Sequence, residues 1–289
     1  MKITSIATLV NEFAIDDLKV LLFTLELWNA KPPTVYIFSD SKSAPLIKAI
    51  KYGGSVIIKE DALNAYTGLN RRAMEGRRDI RGKSAFAEFT EEKTVLMEWA
   101  LAASSGSNGV LFCDADICHL GPLPDIPDGT ELALSPHMIR KSDTDRYGIY
   151  NAGFLWFNRQ EVAVKWRELC ATSRFFEQAC LEELAVEYKL YEFPVQVNYG
   201  WWRLWQGSQA PANLQAEWGI HRAENTCGIS IRSGPSEKLP LLSIHTHWAE
   251  KSDRATYEFN MWVLGQLRKL VSVKKTATLV RFLQALFKI

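Results

Sequence analysis

The stretch GVLFCDADICHLGPLP, Gly109 to Pro124, sets an uncharged apolar run directly before two carboxylates separated by one alanine. Val110–Cys113 has the length and composition of a buried strand. Residues i and i+2 of an extended chain project to the same side, so Asp114 and Asp116 enter one small volume. Two like charges that close repel, and one takes up a proton unless a cation stands between them. Carboxylate oxygens suit Mn²⁺ or Mg²⁺, ions that keep positions open for water and phosphate. A solvated pair of loop aspartates is the alternative, because D-x-D is a short pattern. The strand before the pair and the Gly121-Pro122 turn after it strengthen the metal reading and leave both open.

Working outward toward the N-terminus, the chain alternates strands and helices. Ile3–Val10 reads as a strand, and Leu18, Leu21, Leu22, Leu25 and Trp28 mark one face of a helix. Val35–Phe38 is a short buried strand, Ala44–Lys51 a helix and Val56–Ile58 a third strand. Such alternation predicts parallel pairing with helices on both faces, and a site beyond the carboxyl ends of the strands. Leu69–Ser84 carries Arg71, Arg72, Arg77, Arg78, Arg81 and Lys83 and reads as a long loop or irregular helix. It is a mobile lid, a solvated loop or a contact for an anionic acceptor. Thr90 is placed to cap a helix over Glu91–Ala103.

Beyond the quoted stretch, Tyr147–Asn158 reads as a strand, Arg159–Ala171 and Phe176–Tyr188 as helices, and Leu190–Phe193 and Leu241–His245 as strands. Asp253 is placed to cap a helix bearing Phe259, Trp262, Val263, Leu267 and Leu270. The boundaries are a main domain over 1–253 and a C-terminal helix with a basic amphipathic tail over 254–289. The tail, with Arg281 and Lys288, suits a peripheral membrane contact, packing against the body, or an oligomer. Trp201, Trp202 and Trp205 are core residues or line an acceptor cleft.

Composition narrows the classes. The 289 residues are 47% apolar, enough for one large α/β domain with a sizeable core. With 34 basic against 33 acidic residues, no nucleic-acid partner is expected. Five cysteines without a C-x-x-C pair fit reduced core thiols. The N-terminal stretch turns polar too early for a signal peptide, and no uncharged apolar run reaches the roughly 18 residues of a membrane span. A cytoplasmic location follows as the expectation, with the tail at the inner membrane face as an option.

The order of motifs resembles retaining glycosyltransferases of the GT-A fold, a Rossmann-like fold for nucleotide-diphospho-sugars, and especially the family containing glycogenin and bacterial lipopolysaccharide galactosyltransferases. Lys93 and Trp99 on a helix are followed by VLFC and Asp114-Ala115-Asp116; then come Asn151-Ala152-Gly153, Glu177-Gln178, and His245 with Lys251 six positions on. The family has Asp where Glu177 stands, and a Gly and a Pro-Trp that the His245–Lys251 segment lacks. The resemblance implies a single α/β domain with a mixed, mainly parallel sheet and a helical tail. It implies transfer of a sugar from a nucleoside-diphosphate sugar, UDP-linked by default, to a carbohydrate or other hydroxyl acceptor, with retention.

In that reading Asp114, Asp116 and His245 hold the Mn²⁺ or Mg²⁺, with His247 a competitor for the third place. Lys93 and Lys251 meet the diphosphate, or Lys93 is a surface lysine paired to a glutamate. Asn11 and Asp40 seat base and ribose, or simply close turns. Asn151 and Gly153 form a sugar pocket. Gln178 stabilises an oxocarbenium-like centre in a retaining route, and Glu177 deprotonates the acceptor in an inverting one. A haloacid-dehalogenase-like phosphatase also follows a strand with D-x-D, but sets it near the N-terminus with a later acidic motif. An inactive carbohydrate- or nucleotide-binding relative is the remaining alternative.

Overall fold

The computed structural model describes residues 1–80, 82–104, 108–205, 218–221, 223–232 and 237–289. Its first half alternates as the periodicity predicts: β1 (Ser5–Val10), α1 (Ile15–Trp28), β2 (Thr34–Ser39), α2 (Ala44–Lys48) and β3 (Val56–Lys59). Then follow α3 (Arg71–Gly76), α4 (Ala85–Ala103), β4 (Val110–Cys113) and β5 (Ile117–His119). The second half runs β6 (Leu132–Pro136), α5 (Lys141–Tyr147), β7 (Tyr150–Phe157), α6 (Gln160–Cys170), α7 (Leu181–Glu187), β8 (Leu190–Glu192), β9 (Tyr199–Gly200) and α8 (Trp202–Trp205). It closes with β10 (Trp218–Ile220), β11 (Ile229–Arg232), β12 (Lys238–Pro240), β13 (Ser243–His245), α9 (Arg254–Arg268) and α10 (Lys274–Phe287).

Seven strands form the central sheet in the order β3-β2-β1-β4-β7-β6-β8. The β3-β2-β1-β4 half is parallel, β7 is antiparallel to both its neighbours, and β8 is parallel to β6. The period-2 side-chain alternation sorts each strand onto two faces. Ile6, Val35, Ile37 and Leu111 pack with Leu18, Leu21, Leu22 and Leu25 of α1. Ala7, Tyr36, Phe38, Val110 and Phe112 pack with Leu96, Met97 and Ala100 of α4. The sheet is therefore covered on both sides, which is why its strands read as continuous apolar runs.

A third cluster joins α9 and α10 to the short strands and to the outer side of α1, through Val20, Trp28, Tyr199, Phe259, Leu279 and Leu283. Asp253 caps α9, its side chain accepting from the Thr256 N–H. The tail helix α10 lays its apolar side on α1, with Phe282 stacked on Phe23 at 3.9 Å between centroids. Leu279, Val280, Leu283 and Phe287 are buried there. Of the options the sequence left for the tail, the structure shows its apolar side packed against the body.

Several boundaries differ from expectation, and three have a local cause. Ser84, not Thr90, caps α4, its Oγ accepting from the Ala87 N–H at 3.2 Å. Thr90 lies inside the helix and bonds the Ala87 carbonyl at 3.0 Å. Both residues are good caps; with the start at Ala85, Phe86 and Phe89 lie on the helix and pack against the core. Second, β7 starts at Tyr150, since Lys141–Tyr147 is helical and Gly148 turns the chain at φ +94°. Third, the helix expected from Phe176 starts at Leu181, because Phe176 holds φ +45°, outside helical space.

Candidate active site

The carboxylates stand where β4 ends, and their surroundings follow from strand pairing. The Asp114 N–H donates to the Gly153 carbonyl at 2.9 Å, tying the pair to the adjacent β7. β5 starts at once after Asp116 and pairs antiparallel with β13, so His245 stands opposite Ile117. The Thr246 N–H donates to the Asp116 carbonyl at 3.1 Å and locks that register. A histidine distant in sequence is thereby delivered to the carboxylates by a three-residue strand.

His245 Nε2 lies 3.1 Å from Asp116 Oδ1 and 3.7 Å from Asp114 Oδ2. One donor atom from each of the three side chains falls within 4.8 Å of the others, a set able to hold a metal ion. Gly153 supplies an independent check of fit. A Cβ there would lie 2.4 Å from Asp114 Oδ2, 2.5 Å from His245 Cε1 and 2.8 Å from Asn151 Oδ1. The bare backbone at 153 is what lets the three groups converge. Two carboxylates and one imidazole form an O,O,N set suited to Mn²⁺ or Mg²⁺.

His247 does not join that set. Its Nδ1 lies 3.1 Å from Asp17 Oδ2 and its Nε2 3.1 Å from Asp116 Oδ2, so the ring bridges two carboxylates. The Asp116 charge, partly opposed by burial and reinforced by Asp17, pushes this imidazole up to about 10. Burial alone would raise the Asp116 carboxyl, but His245 and His247 outweigh it and hold that group well below the usual range. Burial pushes Asp114 up, against Lys93 and His245.

Lys93 is buried rather than solvated. Its Nζ stands 3.1 Å from Asp114 Oδ1 and 3.0 Å from Glu177 Oε1. Burial would lower this ammonium, and the two carboxylates more than offset it, so the net shift is upward. Glu177 sits in a turn fixed by Trp166 Nε1, which donates to the Glu177 carbonyl at 2.7 Å. Gln178 Nε2 donates to the Tyr147 carbonyl at 2.8 Å, and its Oε1 accepts from the Ala152 N–H at 3.3 Å. Asn151 Oδ1 accepts from the Gly153 N–H at 3.0 Å.

Beside this cluster opens a cleft of about 260 Å³, its walls including Asn11, Phe86, Phe89, Lys93, both aspartates, His245 and His247. Phe86, Phe89, Thr90 and Lys93 recur at helical spacing along α4 and form one wall. Arg71 lines the mouth, its guanidinium 4.8 Å over the Phe86 ring. Of the other basic residues at 71–83, Lys83 is paired with Glu91, and Arg81 lies outside the described residues.

Six expected site residues do not line the cleft: Asn151, Gly153, Glu177, Gln178, Asp40 and Lys251. Asp40 accepts from the Lys42 and Ser43 N–H groups, both at 3.0 Å, and from Ser43 Oγ at 2.6 Å, closing the turn into α2. Lys251 is exposed and does not line the cleft. Asn11 combines both readings: it lines the cleft, caps the turn at Phe13 with a 3.1 Å bond, and donates to the Leu69 carbonyl at 3.3 Å.

No family model and no curated protein matches the sequence. The fold matches solved structures across its whole length. A structure of galactosyltransferase LgtC in complex with donor and acceptor sugar analogues is 13% identical over 99% of this chain and 97% of that chain, with a TM-score of 0.55. An active-site mutant of LgtC is 15% identical over 90% of this chain and 95% of that chain, with a TM-score of 0.52. The chain has the GT-A fold. A haloacid-dehalogenase architecture is thereby set aside.

Within this GT-A fold, three residues near the carboxylates, Asp17, His137 and Asn198, carry no role in the sequence reading. Asp17 bridges to His247, and its Oδ1 has no partner among the described residues. His137 meets Asn151 Nδ2 through Nε2 at 3.0 Å, and Asn198 Oδ1 meets His245 Nδ1 at 3.0 Å. Trp202 packs edge-on against His245, ring centroids 5.0 Å apart, so this tryptophan is walling for the triad. The side chain of Trp205 lies outside the described residues. Asp17, His137 and Asn198 carry no local sequence pattern; tertiary pairing alone brings them in.

Proposed function

We propose that this protein is a metal-dependent glycosyltransferase that moves a sugar from a nucleoside-diphosphate sugar, with UDP as the default, to an acceptor hydroxyl. The observation that carries the reading is the convergence of Asp114, Asp116 and His245 at one end of the sheet in a GT-A fold. In this reading the three residues hold Mn²⁺ or Mg²⁺, which when bound supplies Lewis-acid charge for a departing diphosphate. The cleft beside them, with apolar Phe86 and Phe89 and a polar rim, has the lining that a nucleotide base and its phosphates require.

The chain's own residues take these parts. Lys93 is the buried cation that Asp114 and Glu177 share, its ammonium within ion-pair distance of both carboxylates. Gln178 is held through both ends of its amide, which fixes its oxygen beside the Asn151–Gly153 strand. That favours retention, with the Gln178 oxygen beside a cationic anomeric carbon. A general base must reach the acceptor proton; Glu177 is 3% exposed and already paired to Lys93, which argues against that role. Arg71, Lys93 and His247 are basic side chains that line the cleft, where Lys251 does not.

The test is release of nucleoside diphosphate from a panel of nucleotide sugars with Mn²⁺, against Asp114→Asn and Asp116→Asn. Turnover that needs Mn²⁺ and falls at least 100-fold in both variants is expected. No release from any donor, with Mn²⁺ bound, would support the inactive binding relative. The anomeric configuration of the product by NMR decides retention.

A further inference from the structure

We propose that Asn198, itself anchored by Asn151, fixes the His245 proton on Nδ1 and so leaves Nε2 as the one nitrogen able to serve the carboxylate pair. The inference rests on the metal reading above for its purpose, but its geometry stands without any ion. It also reassigns Asn151 from sugar contact to positioning residue.

The assignment begins at a group whose role cannot change. The Gly153 N–H is a donor, and it lies 3.0 Å from Asn151 Oδ1. That side-chain atom must therefore be the oxygen, which makes the other one the amide nitrogen. Asn151 Nδ2 lies 3.0 Å from His137 Nε2. His137 must accept there, so its proton sits on Nδ1, 3.3 Å from the Gly148 carbonyl. This branch closes on a second backbone group of fixed role. Burial pushes the His137 imidazole down to about 4, against the Gly148 bond, so the ring is neutral near pH 7 as the branch requires.

The other branch leads to the triad. Asn151 Oδ1 also lies 3.0 Å from the Asn198 amide. Two oxygens would repel there, so the Asn198 atom is Nδ2, and it also donates to Ser135 Oγ at 3.1 Å. What remains is Asn198 Oδ1, 3.0 Å from His245 Nδ1. An acceptor only, it demands a proton on that nitrogen. Whether or not Nε2 carries a second proton, it alone can be vacated for a metal. Metal-binding histidines characteristically donate their other N–H in this way.

Backbone geometry holds the arrangement. Asn198 is fully buried and sits at φ +54°, a left-handed conformation that asparagine tolerates better than most residues. Its N–H donates to Ser243 Oγ at 2.8 Å, tying it to the start of the same strand that ends in His245. Asn151 has no hydrogen-bonding capacity to spare. Its oxygen accepts twice, and its nitrogen faces His137 and, at 3.5 Å, Gln178 Oε1.

The experiment uses the full chain, ¹⁵N-labelled, with chelator. Long-range ¹H–¹⁵N spectra at the alkaline plateau report which nitrogen of each neutral imidazole is protonated. His245 is expected to be protonated on Nδ1 in the wild type. Asn198→Gly keeps the left-handed backbone and removes the side chain; it should give mixed His245 tautomers and weaken Mn²⁺ binding about 10- to 100-fold by EPR. A wild-type His245 protonated on Nε2 overturns the proposal, as does an Asn198→Gly protein with unchanged tautomer and affinity. If Asn198→Gly does not fold, the wild-type spectrum decides alone. A wild type that keeps the Nδ1 proton yet binds no Mn²⁺ sinks the metal reading and leaves this inference standing.

Discussion

Lys93 Nζ stands 3.0 Å from Glu177 Oε1, with the two side chains only 8% and 5% exposed. The same ammonium reaches Asp114 at 3.1 Å, so one buried cation serves a candidate metal ligand and a carboxylate beside the expected reaction centre. Lys93→Ala would leave Glu177 buried and unpaired. Removing one partner of such a pair costs about 3–5 kcal/mol, and urea unfolding should show a loss of that order. Lys93→Met combined with Glu177→Gln should be markedly more stable than Lys93→Ala. If the single and double variants unfold alike, the pair is not the source of the cost.

Gly153→Ala tests the crowding at the triad. The new methyl would overlap Asp114 and His245, at 2.4 and 2.5 Å. Neither neighbour is the far end of a long flexible chain, so the carboxylate and the ring must spread. The expected result is a native far-UV spectrum with Mn²⁺ affinity lowered at least 10-fold, read by EPR titration. Affinity within twofold of wild type would mean that the three groups do not converge on one ion.

Much of the architecture was legible because it follows from short-range rules. The apolar strands before Asn11, Asp40 and Asp114 needed only composition and alternation, and all three form in the sheet. Asp114, Asp116 and His245 also come together as the motif order implied. What sequence could not supply is how each polar group spends its hydrogen bonds. Asp40 and Lys93 look equally plausible as ligand contacts in one dimension. The first closes a turn onto Ser43, and the second is enclosed between two carboxylates. Asn198 and Asp17 were invisible because their partners lie 47 and 230 positions away. The apolar side of α10 was read correctly as a surface seeking cover, but its cover, α1, lies at the other end of the chain.

The Asp17–His247–Asp116 bridge predicts a pH dependence in metal-free protein. The folded-state imidazole is raised from an ordinary value of 6.5 to about 10. The folded state therefore binds this proton more tightly than the unfolded chain does. The stability it contributes is fully present below about pH 6.5 and is lost as pH rises toward 10. His247 is 51% exposed, so solvent screens the bridge, and its contribution should be about 1 kcal/mol or less. Thermal melts of wild type and His247→Asn should differ most at pH 6 and converge by pH 10. A gap that widens with pH would show that the ring is held neutral.

The docked tail gives the last prediction. Leu283 is fully buried on the inner side of α10, whereas Arg281 and Lys288 face solvent. Leu283→Ala should therefore destabilise the whole protein by about 2–5 kcal/mol, as deletion of a buried leucine does elsewhere. A helix whose apolar side waited for lipid would show the opposite pattern: no change in the unfolding midpoint and a loss of liposome flotation. Arg281→Glu, which touches only the outer side, should leave the midpoint within about 0.5 kcal/mol of wild type. Unfolding by urea alongside flotation on anionic vesicles separates the two, because a packing role moves the first measurement and a membrane role the second.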